Sequence, residues 1–157
     1  IVKILEEQAN LSDVDIRSLA ELETKKEYLQ AAELLEQALS LTTAHENVSA
    51  SLISASRELT SLAKLINPSV LEIKAEAAFR ALEEFAKAEK KFYEDRRALY
   101  EITRNYYADL AAKKSAAIPE NLQAMVDGVN ADLANAQKLH QEFAAALQAF
   151  DDAVSAK

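Results

Sequence analysis

Cysteine and tryptophan are absent from this chain, glycine occurs once, at Gly128, and proline twice, at Pro68 and Pro119. The lack of cysteine excludes disulfides, zinc-thiolate sites and thiol nucleophiles, and leaves the redox compartment open. One glycine and two prolines supply too little turn chemistry for a sheet protein. No apolar run approaches the ~20 residues of a membrane span. There is no glycine-rich elbow or phosphate cradle, and the serines fall within helical patterns or at helix starts. The expectation is a non-enzyme without a resident cofactor or metal.

What the chain does have is helical phase. Leu122, Val126, Val129, Leu133, Ala136, His140, Phe143, Leu147, Phe150 and Val154 fall at alternating spacings of four and three. That is the seam of a helix packed along another helix. A second seam runs through Ala31, Leu34, Ala38, Leu41, His45, Val48, Leu52, Ala55, Leu59, Leu62 and Ile66. The fold class read from these patterns is an all-α antiparallel helical bundle. At 157 residues it is expected to be a single domain, 1–157, with residues 1–11 compatible with the end of a preceding element.

Net charge is −8, which argues against nucleic acid as a partner, since binding it requires a phosphate-attracting field. The middle of the chain is its basic part. Between Lys87 and Tyr107 bases interleave with aromatics, but Glu83 with Lys87 and Arg97 with Glu101 stand at the four-residue spacing that pairs charges along one helix. This run reads as a solvated, self-paired face. The chain starts at Ile1 rather than Met, which suggests part of a longer or processed protein, with an exported or envelope-associated setting slightly favoured.

Asn67, Pro68 and Ser69 mark one break, Ser69 with Glu72 having capping-box spacing; Ser115 to Pro119 mark another, with Pro119 and Glu120 opening the last helix. Upstream, Thr24 with Glu27 and Thr43 with Glu46 both have capping-box spacing. The second seam crosses Thr42 and Thr43 without a change of register, so the break belongs near 24–26. The expected elements are a short helix over about 13–23 and long helices over 25–66, 69–114 and 119–155. The three long helices have comparable spans, as a three-helix bundle requires. If Thr43 capped a new helix, the alternative would be an up-down four-helix bundle needing a second copy or a partner to cover its distal hairpin. Tyr28, Ala31, Leu35, Ala38 and Leu39 are similar to the second helix of a tetratricopeptide unit. Lys26 stands where that motif has glycine, and no counterpart follows 34 residues on, so no repeat family is assigned.

The sharpest functional lead is the set of polar residues inside the apolar seams: Glu89, Arg96 and Thr103 in the middle helix, and both histidines, His45 and His140. Antiparallel pairing about the turn at 67–68 sets His45 opposite about residue 90, and pairing about 116–118 sets His140 opposite about residue 95. His45, Glu89, Arg96 and His140 are therefore expected to share one layer near mid-bundle. The preferred reading is a hydrogen-bonded layer that fixes register. A small-ligand or proton-sensing site comes second. A two-His, one-Glu metal site is disfavoured by the charge of Arg96 and by the lack of Glu-x-x-His spacing.

Seven of the ten aromatics lie between Phe79 and Tyr107, with Tyr93, Tyr100 and Tyr107 in a seven-residue row. The row is a candidate partner or ligand face, although packing of the rings inside the bundle is the simpler reading. The leading functional expectation is a non-catalytic structural or protein-interaction module, with a protein partner or self-association; the alternative is a small-ligand-binding sensor domain built on a bundle.

Overall fold

The computed structural model describes residues 18–67 and 69–156. Four helices follow in order: α1 (Leu19–Thr24), α2 (Tyr28–Ala63), α3 (Ser69–Ala111) and α4 (Leu122–Ser155). There is no strand among the described residues. The protein is an all-α antiparallel bundle of three long helices with a short helix at the start. Residues 13–17 of the expected short helix lie outside the described residues, as does the segment 1–11.

α2 runs unbroken through Thr42 and Thr43, and the hydroxyls show why neither begins a helix. Each donates to the carbonyl one turn back, Thr42 to Ala38 at 2.7 Å and Thr43 to Leu39 at 3.0 Å, which is the bonding of a helix interior rather than a cap. The Thr24–Glu27 box is not formed either. Thr24 is the last residue of α1, its hydroxyl donating to the Ala20 carbonyl at 2.8 Å, and Glu27 precedes α2 without a side-chain cap. Ser69 is already helical. α4 starts three residues later than expected, at Leu122, whose amide bonds the Pro119 carbonyl at 3.1 Å, so Pro119 and Glu120 belong to the preceding turn.

Two helix ends share a device. After α1, the Glu27 amide bonds Leu22 O and the Lys26 amide bonds Glu23 O; after α3, Lys114 bonds Asp109 O and Lys113 bonds Leu110 O. These are Schellman closures, and their left-handed residues are Lys26 (φ 59°) and Lys113 (φ 57°), positions that usually go to glycine. The only glycine, Gly128, sits inside α4 instead.

α3 is the central helix, with α2 on one side and α4 on the other. No Cα of α2 comes within 8 Å of α4 among the described residues. The α2–α3 interface pairs small with large: Ala31, Ala38, Ser49 and Ser56 of α2 are buried opposite a helix that buries Leu82, Phe85, Phe92, Tyr93, Tyr100 and Tyr107. Buried hydroxyls do not weaken this face, because Thr42 and Ser56 donate to their own helix and Ser49 to Glu89. Ion pairs flank it at Arg57–Glu83 (2.8 Å), Glu46–Arg97 (3.2 Å) and Glu36–Arg104 (2.5 Å). α4 is held less completely. Only Ala136 is buried, while Leu133, Leu147 and Val154 of its seam are 38, 42 and 45 % exposed.

Candidate functional site

The mid-molecule registers differ from those expected for both hairpins. His45 stacks on Tyr93 (centroids 4.6 Å apart, planes 11° apart) rather than standing level with residue 90. The larger shift is on the other side. His140 packs against Phe85, with ring centroids 5.0 Å apart, about ten residues or ~15 Å along the axis from the level expected for it. The loop 112–121 causes this: it lets α4 start well below the end of α3, whose last turns pack on α1 and α2 instead. Leu19, Leu22, Tyr28 and Leu110 gather there around Tyr107, whose ring lies 6.4 Å from that of Tyr28.

The shift decides which polar seam residues meet. His45 of α2, Glu89 of α3 and His140 of α4 line one cleft of about 410 Å³, together with Phe85, Phe92, Tyr93 and Phe143. His45 is 5 % exposed, Glu89 half-buried and His140 exposed, so the cleft runs from the core to solvent. Ser49 donates to the Glu89 carboxylate at 3.3 Å. Arg96 is not part of that wall. Two turns beyond Glu89, it donates to the Tyr100 hydroxyl at 2.7 Å and holds its guanidinium 5.6 Å from the Phe92 ring centre and 5.2 Å from that of Tyr100. It lines an adjoining groove that shares Phe92, Tyr93 and Leu133 with the cleft. Of the four residues expected in one layer, three line the cleft and Arg96 lines the groove beside it. Thr103 bonds back to Leu99 O at 2.8 Å.

Tyr93, Tyr100 and Tyr107 do not form an exposed stripe; all three are buried. Small residues on α2 leave room for the rings, and the row becomes a core seam. Burial, with Glu23 beside it, pushes the Tyr107 phenol up to about 12. Only Tyr93 of the row reaches the cleft. The rings missed as site residues, Phe85 and Phe92, had one sequence signal, since they and Tyr93 stand at −4, +3 and +4 from Glu89 on a single helix face.

The pairs expected in the basic run are formed, Lys87–Glu83 at 3.0 Å and Arg97–Glu101 at 3.4 Å. Hydrogen bonds from Arg57 and Lys87 hold the Glu83 carboxyl below its usual range. Lys91 reaches Asp132 of α4 at 2.8 Å and Asp95 at 2.6 Å, which raises the Lys91 ammonium and lowers the Asp95 carboxyl. Among the described residues no group of three His, Asp or Glu side chains is placed to hold a metal ion. Nor is any helix among them long and apolar enough to cross a membrane.

What the arrangement offers chemically is an apolar, ring-lined cleft with one carboxylate and two imidazoles, beside an apolar helix face left half-covered. Comparison of the chain with protein-family models, with characterised proteins and with solved structures yields no match.

Proposed function

We propose that this chain is a non-catalytic protein-interaction module whose working face is the side of the bundle that α2 and α4 leave open along α3. One observation carries the reading: among the described residues α4 packs on α3 alone, and Leu133, Leu147 and Val154 of an uninterrupted seam stay partly exposed. A seam with that period is completed by another helix. The partner's charge follows from α4, which carries five acids (Asp127, Asp132, Glu142, Asp151 and Asp152) and one base, Lys138. An amphipathic helix with basic flanks fits this face, whereas pairing α4 with the α4 of a second copy would set acid against acid.

The test is a photo-crosslinking residue at position 147 in cells of the source organism, with the captured segment identified by mass spectrometry. Capture of a basic amphipathic segment, lost when Leu133→Glu is added, is the expected result. Capture of this same chain, or capture unaffected by Leu133→Glu, overturns the proposal.

A second reading, small-ligand binding in a sensor, is favoured by the cleft that gathers His45, Glu89 and His140. A site of this size and apolar character is of the kind small ligands use.

A further inference from the structure

We infer that a partner helix sits between α2 and α4 as a further helix of the bundle, with an apolar heptad row, uncharged flanks and basic residues at the end that meets Glu58 and Asp151. The inference rests on the interaction reading above and adds the partner's second wall and its charge pattern. α2 carries two rows with a seven-residue period. Ala31, Ala38, His45 and Leu52 are buried, whereas Leu41, Val48 and Ala55 are half-buried and Leu62 is 56 % exposed. A helix with two such rows packs on two neighbours. Among the described residues α2 has α3 and the short α1, and α1 packs at the Tyr107 end. α4 repeats the pattern, Ala136 being buried beside an exposed row of Leu133, His140, Leu147 and Val154.

The two open rows run side by side. His45 stacks on Tyr93 and His140 packs against Phe85. Counted along the antiparallel helices from these contacts, Val48 and Leu133 both stand level with about residues 90–92 of α3, and Leu62 and Leu147 with about residues 76–78. α2 and α4 do not meet, so the three long helices occupy three corners of a four-helix arrangement, and the cleft lined by all three lies at its centre. The outer neighbours of the two rows set the partner's flanks. On α2 these are Gln37, Ala44, Ser51 and Glu58; on α4 they are Asn130, Gln137, Ala144 and Asp151. Uncharged side chains therefore border most of the space, and acids only its last turns. Other acids of the two helices are engaged elsewhere, Glu36 and Glu46 with Arg104 and Arg97, Asp132 with Lys91 and Glu142 with Lys138. A helix basic along its whole length would set charges against amides and alanines, whereas bases at one end meet Glu58 and Asp151.

The test places a photo-crosslinking residue at position 51 of α2 or position 147 of α4 in cells of the source organism and identifies the captured segment by mass spectrometry. A synthetic peptide of that segment is then titrated into the purified chain by fluorescence anisotropy. Both positions are expected to capture one segment, with an apolar heptad row and its lysines or arginines clustered at one end. Val48→Asp is expected to weaken the peptide about tenfold. Ser51→Arg, at an exposed position, is expected to weaken it severalfold and carries the α2 arm should Val48→Asp fail to fold by circular dichroism. Asp151→Lys is expected to weaken the peptide about fivefold. Asp127→Lys, an equal change of net charge near the start of α4, is expected to leave it unchanged. Capture from position 147 but not from position 51 overturns the seat between α2 and α4 while leaving the interaction reading. Equal weakening by Asp127→Lys and Asp151→Lys overturns the charge pattern, because the attraction would then be diffuse. Capture of residues 1–17 of this chain, of a second copy, or of nothing at either position overturns the seat and the interaction reading together.

Discussion

The two faces of α3 are built on different terms. Toward α2 it meets alanines and serines with large rings and leucines, so backbones approach closely, buried hydroxyls are satisfied, and three ion pairs flank the seam. Toward α4 the seam residues are larger and fewer are covered; Ala136 alone is buried, and the Lys91–Asp132 pair ties the helices at the edge. A perfect heptad-like pattern therefore does not itself mean a buried helix. α4 has a seam as regular as that of α2 and far less burial than α2 or α3, because burial needs neighbours on both sides of the seam and among the described residues α4 has one.

The largest expected effect separates the faces by mutation. Leu82→Ala, at a nearly fully buried side chain, should cost about 2–5 kcal/mol in urea unfolding. Leu147→Ala, at a half-exposed seam position, should cost about 1 kcal/mol or less. Similar losses at the two sites would break the comparison and place a covering element over α4 in solution. Hydrogen exchange sharpens it: α4 amides are expected to exchange through a local opening at least ~2 kcal/mol cheaper than the opening that releases α2 and α3. Uniform protection would mean that the three helices open as one unit.

One pH effect belongs to the α2 side. The Tyr107 phenol is raised to about 12 in the folded protein, mainly by burial. A raised group stabilises fully below its unfolded value, near 10, and that contribution is lost as pH rises through the folded value. Through Tyr107, thermal unfolding should therefore lose on the order of 1 kcal/mol between pH ~10 and ~12, and Tyr107→Phe should remove that part of the slope while leaving the part carried by the raised Lys91 ammonium. An unchanged slope in Tyr107→Phe would assign the alkaline loss to other groups.

The smallest effects come from misplaced glycine chemistry. A Cβ added at Gly128 meets nothing within 4 Å, so Gly128→Ala should stabilise by about 0.5–1 kcal/mol, chiefly by slowing exchange in α4. Lys113→Gly, at a positive φ, should gain a similar amount, about 0.5–1 kcal/mol, at the end of α3. Destabilisation by Gly128→Ala would show that position 128 is covered in solution.

Much of the architecture was legible from local chemistry. The continuity of α2 across Thr42 and Thr43 followed from seam phase, and the break at 24–26 from the loss of that phase. Caps were less readable: Thr24 and Ser69 have capping-box spacing but sit inside helices, because a hydroxyl followed by an acid is also compatible with a helical turn. In the candidate site, His45, Glu89 and His140 stood out as polar residues on apolar stripes. Arg96 stood out equally and lines the adjoining groove, while the level at which His140 of α4 meets α3 was not legible, because it depends on how residues 112–121 are traversed, and loop sequence encodes that path weakly.

The sequence by itself determined the helices, their antiparallel order and the apolar face of each, because these follow from a 3.6-residue period, two prolines and chain connectivity. Only the tertiary structure decided the axial stagger, the separation of α2 from α4, the burial of Tyr93, Tyr100 and Tyr107, and the cleft around Glu89. The reason is physical: a seam specifies which face of a helix must be covered, whereas its level along the neighbour is set by side chains interlocking between helices distant in sequence.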